Sequence, residues 1–136
     1  MALRLEGKVA LVTGSGSGLG EATAKRFAQM GAHVYVTDVN IAGLERVVDE
    51  IKQAGGGATG REQNVTIEAD WDVLMTEIIQ SHGQLDILVN NAGIALTGNV
   101  EEVTLDDWRK TQAVNLDAVF MGTRAAVKVM KGRGGS

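Results

Sequence analysis

The chain of 136 residues has no cysteine and no proline, and only 4% of its residues are aromatic. Without cysteine there is no disulfide, no thiolate metal site and no thiol nucleophile, which fits a reducing compartment such as the cytoplasm. Thirteen basic and 17 acidic residues give a net charge of −4, which offers little attraction to nucleic acid or anionic lipid. No apolar run approaches the roughly 18 residues of a membrane span, and the start lacks a signal-peptide core. We therefore expect a cytoplasmic protein that binds neither nucleic acid nor membrane.

Glycine, by contrast, is in excess, with 18 residues, or about twice the usual ~7%. The glycines cluster at 14–20, 55–57 and 132–135, between periodic segments, rather than being spread as in a flexible linker. The hydrophobic content of 44% is ordinary for a folded protein, and the length suits one domain.

Short apolar segments alternate with amphipathic helical ones. Strands are predicted at 8–13, 32–37, 58–64 and 85–90. Helices are predicted at 19–30, 41–54, 67–82 with Thr66 as N-cap, and from a capping box at Thr104 to about Met130. This alternation predicts an α/β fold, in which helices cover both faces of a parallel sheet.

The glycine loop, which we define as residues 13–20, lies between the first predicted strand and the first helix. In that place backbone N–H groups and a helix N-terminus can bind the pyrophosphate of a dinucleotide. The pattern is T-G-x-x-x-G-x-G, and it matches neither the G-x-G-x-x-G spacing nor a Walker loop. Glycines there permit a tight turn, close approach of phosphate and close helix packing, and the serine hydroxyls can bind phosphate or ribose. The candidate cofactor-binding residues of the loop are Gly14, Ser15, Ser17, Gly18, Leu19 and Gly20. A glycine-rich turn without a ligand is the alternative.

Asp38 ends the second predicted strand, 18 residues after Gly20. An acid at this distance is expected to accept a hydrogen bond from the adenosine ribose 2′-OH, and its charge would repel a 2′-phosphate. Ser15 and Val39, where a phosphate-binding Arg or Lys could stand, are uncharged. The pattern therefore favours NAD over NADP, with a simple turn aspartate as the alternative.

Two further motifs follow in order, Asn-Asn-Ala-Gly at 90–93 after the fourth predicted strand and Val-Asn-Leu at 114–116 in the last helix. Together with the glycine loop and Asp38, they make the sequence resemble the short-chain dehydrogenase/reductase family along its whole length. The resemblance implies a Rossmann-like, doubly wound parallel sheet of strand order 3-2-1-4. It also implies an NAD-dependent alcohol dehydrogenase, or a ketone or 3-oxoacyl reductase, acting on a small alcohol or carbonyl substrate.

The resemblance also implies roles for single residues. Cofactor contacts beyond the glycine loop and Asp38 would come from Asn64, Val65, Asn91, Ala92, Gly93 and Val114. Asn64 replaces the family's aspartate, and its side-chain carbonyl can accept from the adenine amino group. Asn90 would tie the central strands together. Asn115 would be the catalytic asparagine, which supports a water in a proton relay; an ordinary polar helix residue is the alternative.

The family's Tyr-x-x-x-Lys motif, whose tyrosine is the general acid and base, is not in this sequence, and neither is its catalytic serine. The single tyrosine, Tyr35, lies in a predicted strand and has valine four residues later. We therefore expect residues 1–136 to be one incomplete dinucleotide-binding domain, truncated before the fifth strand and inactive alone. A truncation, a part of a longer enzyme and a natural short form all remain open. So does a non-catalytic dinucleotide-binding or oligomerisation module, whereas Asn-Asn-Ala-Gly disfavours another Rossmann-like enzyme such as a methyltransferase.

The last helix carries more apolar side chains than one sheet face can cover. They are Val103, Trp108, Val114, Val119, Phe120, Val127 and Met130. We expect a homo-oligomer that forms through this helix or through the open edge of the fourth strand. We expect His33 and His82 to lie far apart, and neither has an acidic or cysteine partner at ligand spacing, so no metal site is expected.

Overall fold

The computed structural model describes residues 3–132. Its strands are β1 (Val9–Val12), β2 (His33–Asp38), β3 (Gly57–Glu62) and β4 (Ile87–Val89). Its α-helices are α1 (Gly18–Gln29), α2 (Ile41–Gln53), α3 (Glu68–His82), α4 (Leu105–Gln112) and α5 (Ala118–Met130). One turn of π-helix, Ala113–Asp117, joins α4 to α5, so the single long helix predicted there is interrupted. None of the helices described is long and apolar enough to cross a bilayer.

The sheet is parallel throughout, with strand order β3-β2-β1-β4, which confirms the predicted fold class. Leu11 in the middle of β1 lies in register with Tyr35 of β2 and Leu88 of β4. Within residues 3–132, β4 pairs with β1 alone, and its three residues are only half-buried. Because all strands point the same way, the segments that follow them gather at one edge, where ligands of open α/β sheets bind.

Helices cover both faces of the sheet, because successive strand residues point to opposite sides. Val9 and Leu11 of β1 join the core under α3 and α5, which includes Tyr35 and Trp71. Val12 belongs to the opposite core, together with the apolar face of α2. Strands buried on both faces read as continuous apolar runs, and this is why β1 was recognisable in the sequence.

The helix starts agree with the sequence prediction at α4 and differ at α3. Thr104 caps α4 by accepting a hydrogen bond from the Asp107 N–H at 3.1 Å. Thr66, in contrast, is not the N-cap of α3, since Ile67 occupies that position and makes no side-chain cap. The Thr66 N–H and hydroxyl both donate to Asn64 Oδ1 instead, at 3.0 and 2.7 Å. Thr66 therefore stabilises the turn after β3 rather than the helix.

A network of four charged side chains joins α1 to α2. Glu21 accepts from Arg46 at 2.6 Å and from Lys25 at 2.5 Å, and Glu50 also pairs with both cations. These hydrogen bonds, first from Arg46 and then from Lys25, lower the pKa of Glu21 to about 2. Exposed ion pairs contribute roughly 0–1 kcal/mol each, but four groups that share partners fix the two helices in one arrangement.

His33 and His82 lie in contact, contrary to the expectation that they are far apart. Their ring centroids are 4.4 Å from each other, and Tyr35 lies edge-on to both. His33 Nε2 is 2.8 Å from Thr59 Oγ1. Burial first, then His82 and Lys52, lowers the pKa of His33. Among the residues described, no group of three or more His, Cys, Asp or Glu side chains is placed to hold a metal ion.

The lowered pKa of His33 predicts a loss of stability in mild acid. Above the ordinary histidine pKa of about 6.5 the residue is neutral in both states and adds no pH dependence. As the pH falls below that value the unfolded chain takes up the proton first, so the free energy of unfolding decreases. We expect urea unfolding at pH 7 and pH 5 to show this decrease, and His33→Gln to reduce it.

Thr59→Val is the matched control for the His33 experiment. It removes the hydrogen-bond partner of His33 but leaves the titrating ring in place, so the pH dependence should remain. An equal pH dependence in His33→Gln and in the unaltered chain would contradict the assignment.

Candidate functional site

An open cleft of about 380 Å³ lies at the edge of the sheet where the strands end. It is bounded by the glycine loop, the ends of β2 and β3, and the segment after β4. The predicted site residues that line it are Gly14, Ser17, Asp38, Asn64, Val65, Asn91, Ala92, Gly93 and Val114. Val39, Gln63 and Ile94 also line it and were not predicted as site residues. Of the other predicted loop residues, Gly18 and Leu19 are exposed at the start of α1, whereas Ser15 and Gly20 are buried.

Two glycines let the glycine loop press against the segment that follows β4. Gly14 has φ of +61°, and a Cβ on it would lie 2.9 Å from Ala92 Cα. A Cβ on Gly20 would collide with the Gly14 carbonyl and the Asn91 amide. A side chain at either position would separate the two segments, so the tight turn and the close packing both require glycine.

The two serines of the loop have different environments. Ser15 is fully buried, and its hydroxyl donates to the Val12 carbonyl at 2.6 Å and accepts from the Thr37 N–H at 3.1 Å. The Ser15 hydroxyl therefore fixes the loop to β2, and its contact with phosphate or ribose stays a prediction. Ser17 is exposed, lines the cleft and does not cap α1 with its side chain. Ser17 is thus the loop serine that can reach a ligand.

The Asp38 carboxylate is held between the glycine loop and the start of α2. Its Oδ2 accepts from the Gly16 N–H at 3.0 Å, and its Oδ1 accepts from the Asn40 N–H at 3.0 Å. An ionised carboxylate has about four acceptor positions, so each oxygen keeps capacity for a hydroxyl donor in the cleft. The geometry is therefore compatible with the predicted contact to a ribose.

The first turns of α2 contact the glycine loop at the Gly16 carbonyl. Arg46 Nη2 lies 3.4 Å from the Gly16 carbonyl oxygen, and a Cβ on Gly43 would lie 2.8 Å from the same oxygen. Sequence analysis missed both residues, because nothing in the pattern of α2 indicates that it touches a loop some 30 positions earlier.

Thr13 and Asn91 tie the ends of β1 and β4 together. Thr13 Oγ1 accepts from the N–H groups of Asn91 and Ala92, both at 3.0 Å. Asn91 Nδ2 in turn donates to the carbonyls of Thr13 and Gly14 at 3.0 and 3.1 Å. The tie predicted for Asn90 is thus made by Asn91, while Asn90 Nδ2 donates to Thr123 Oγ1 on α5 at 3.3 Å.

Asn64 differs from its expected role at the adenine. Its Oδ1 already accepts the two hydrogen bonds from Thr66, which occupy both lone pairs of a carbonyl oxygen. In this arrangement the oxygen has no lone pair left for an adenine amino group, and that contact stays a prediction. Val65, the next residue, is buried, and its carbonyl accepts from Trp71 Nε1 at 2.9 Å.

Asn115 lies in the π-turn and clamps the backbone just after the Asn-Asn-Ala-Gly motif. Its Oδ1 accepts from the Ile94 N–H at 2.9 Å, and its Nδ2 donates to the Ile94 carbonyl at 2.8 Å. Val114, the preceding residue, lines the cleft and is half-buried against the core. The π-turn therefore places both predicted residues beside the cleft, but a backbone clamp was not foreseen for Asn115.

Comparison with known sequences identifies the relatives of the chain. The family model described as short chain dehydrogenase matches residues 8–136. A 2,5-dichloro-2,5-cyclohexadiene-1,4-diol dehydrogenase from Sphingobium indicum is 44% identical, with 100% of this chain and 55% of that protein covered. A cyclohexanol dehydrogenase from an Acinetobacter species is 37% identical, with 99% and 54% covered. The chain thus spans about half the length of these curated relatives.

Solved structures share the fold. A short-chain dehydrogenase/reductase from Burkholderia xenovorans has a TM-score of 0.94 at 36% identity, with 98% of this chain and 55% of that chain covered. A metagenomic short-chain oxidoreductase solved in complex with NADP has a TM-score of 0.91 at 32% identity, with 97% and 60% covered.

The tie between Thr13 and the segment after β4 predicts a large effect from a small change. Thr13→Val keeps the shape but leaves the Ala92 N–H without its acceptor and the Asn91 N–H with the Val89 carbonyl alone. We therefore expect the free energy of unfolding to fall by about 1–3 kcal/mol. Urea denaturation measures this. Thr76→Val on the exposed side of α3 removes only a bond to the Asp72 carbonyl and should stay within about 0.5 kcal/mol. Equal losses in the two variants would show that the tie adds nothing.

Proposed function

The chain belongs to the short-chain dehydrogenase/reductase family, and from that premise we propose that residues 1–136 form the cofactor-binding portion of an NAD-dependent oxidoreductase and part of one larger domain. The observation that supports NAD is the position of the Asp38 carboxylate, which lines the cleft and accepts a hydrogen bond from the Gly16 N–H. A carboxylate there attracts ribose hydroxyls and repels a 2′-phosphate. The relative solved with NADP makes the opposite preference the alternative to test.

The residues of the cleft fit a dinucleotide. Gly14 and Gly20 let the glycine loop pack against the segment after β4, whereas a Cβ on Gly18 would meet nothing within 4 Å. Without a side chain at Gly18, the N-terminus of α1 is open to a pyrophosphate. Asp38 would bind the adenosine ribose, with Asn64 and Val65 on the adenine side. The nicotinamide side would be bound by Asn91, Ala92 and Gly93 in the segment after β4.

A bound NAD would supply a hydride acceptor for the carbinol carbon of an alcohol, and a base would have to take the hydroxyl proton as the carbonyl forms. These 136 residues hold no Tyr-x-x-x-Lys to take that proton, and Tyr35 is only 1% exposed inside the sheet. We therefore propose that they bind the cofactor and do not complete the reaction alone. Asn115 keeps its proposed place in the proton relay, where its clamp on Ile94 would hold the backbone beside the reacting groups.

The two curated relatives described above are named for alicyclic alcohols, a chlorinated cyclohexadienediol and cyclohexanol. In both compounds the oxidisable carbon is a secondary alcohol in a six-membered ring. By this similarity we propose alicyclic secondary alcohols as the substrate class of the intact enzyme.

Replacement of Asp38 tests the cofactor preference. Asp38→Arg should weaken NADH binding and strengthen NADPH binding, because it replaces a charge that repels the 2′-phosphate with one that attracts it. We expect the ratio of the two dissociation constants to change at least tenfold, about 1.4 kcal/mol. Fluorescence titration with each reduced cofactor measures the ratio.

Asp106→Asn, at the start of α4 and away from the cleft, is the control for the charge change and should leave the ratio unaltered. An unchanged ratio in Asp38→Arg would show that Asp38 does not select between the two cofactors. Failure of the unaltered chain to bind either cofactor would overturn the proposed function.

An apolar stripe on α4, the π-turn and α5 supports self-association. Leu116, Phe120 and Val127 are 62%, 61% and 54% exposed and follow one another at helical spacing. Trp108 on α4 is 50% exposed. Members of the family are often oligomers. We propose that a second copy of the chain covers this stripe.

Phe120→Asp should convert an oligomer into a monomer, because it places a charge in the centre of the stripe that the second copy would cover. Light scattering measures the mass in solution. Val73→Asp, at an equally exposed valine on α3, should leave the mass unchanged. A monodisperse monomer of the unaltered chain would refute the proposal, and an oligomer that survives Phe120→Asp would point to the edge of β4.

A further inference from the structure

Gln63, the residue after β3, has an environment that the cofactor contacts above do not explain. It is only 3% exposed, yet it lines the cleft. Its Oε1 accepts from Thr37 Oγ1 at 2.8 Å. Its Nε2 is the one buried side-chain nitrogen or oxygen within residues 3–132 that has no hydrogen-bond partner.

This unpaired nitrogen ends a continuous chain of buried hydrogen bonds. The Ser15 hydroxyl donates to the carbonyl of Val12 and accepts from the Thr37 N–H, and the Thr37 hydroxyl then donates to Gln63. The chain crosses from the glycine loop over β2 to the end of β3. Its other members are paired, so the unpaired group belongs to Gln63, the member of the chain that lines the cleft.

A buried donor without a partner destabilises a protein, and native structures contain few of them. An apolar side chain at position 63 would avoid that cost. Retention of an amide whose donor is unpaired is therefore expected where a ligand, or a water that it holds, supplies the missing acceptor.

The position of β3 indicates which part of a dinucleotide would supply that acceptor. In the order β3-β2-β1-β4, the glycine loop follows β1, Asp38 ends β2, and Gln63 lies one strand further out. A cofactor whose pyrophosphate lies on the loop and whose ribose lies on Asp38 has its adenine at Gln63. The ring nitrogens of adenine are acceptors, to which Gln63 Nε2 can donate. Asn64 Oδ1, beside Gln63 in the sequence, has no lone pair left for the adenine amino group.

We propose that Gln63 is a specificity-determining residue for the adenine of the cofactor, and that its Nε2 donates to a ring nitrogen of the base, directly or through one water. This inference rests on the proposed cofactor function. It also connects base binding to the glycine loop, because the same amide holds Thr37, which holds Ser15.

Gln63→Met tests the proposal, since methionine has a similar length and no donor. We expect about tenfold weaker binding of NAD and of AMP, which contain adenine, and unchanged binding of nicotinamide mononucleotide, which does not. Calorimetry or fluorescence titration measures each constant. The exposed Gln53→Met at the end of α2 is the matched control and should bind all three as the unaltered chain does.

The outcomes separate this inference from the function on which it rests. Equal weakening of all three ligands, or no weakening of any, would overturn the role of Gln63 while leaving NAD binding intact. No binding of NAD or AMP by the unaltered chain would overturn both. If Gln63→Met does not fold, the side-chain amide resonance of Gln63 in the unaltered chain gives the answer. It should shift with AMP and not with nicotinamide mononucleotide, and an unmoved resonance would refute the contact.

Discussion

The cleft depends on one constraint: β1 and β4 end side by side, and their last backbone groups must be paired without filling the space above them. Thr13 and Asn91 meet this constraint between themselves. One hydroxyl accepts from two N–H groups, and one amide donates to two carbonyls. Because all of these groups are satisfied within the two segments, none of them has to reach into the cleft, and the glycine loop can lie directly against the segment after β4.

Polar groups at this edge divide into those that hold the frame and those left for a ligand. The Ser15 hydroxyl is buried and uses its donor inside the protein, and both lone pairs of Asn64 Oδ1 are used there, although both groups looked like ligand contacts. Asp38 serves both purposes, since two backbone N–H groups orient it and two acceptor positions remain. Gln63 is paired at its oxygen and unpaired at its nitrogen. Whether a polar side chain at this edge can bind a ligand therefore depends more on how many hydrogen bonds it already makes within the protein than on its residue type.

This distinction also marks what the sequence could predict. The positions of strands and helices follow from periodicity, which is a local pattern. The strand order and most of the cleft lining come from the family resemblance that the motifs carry. Contacts between distant segments were out of reach. Stacking of His33 on His82 joins the start of β2 to the end of α3, and Arg46 meets Gly16 across 30 positions. Asn90 and Asn91 could not be told apart either, since neighbouring asparagines differ only in the direction in which the backbone points them.

The π-turn at 113–117 shows how a local irregularity can serve both the core and the cleft. Each helical residue rotates about 100° around the axis, so the one-residue insertion of a π-turn changes which side chains face inward. Before the turn α4 has no buried residue, whereas after it Ala118, Gly122 and Ala126 pack against the core. Asn115 stands within the turn, where it is exposed and free to bond both backbone groups of Ile94. A regular helix would have to give up either the buried face of α5 or this clamp, and the π-turn keeps both.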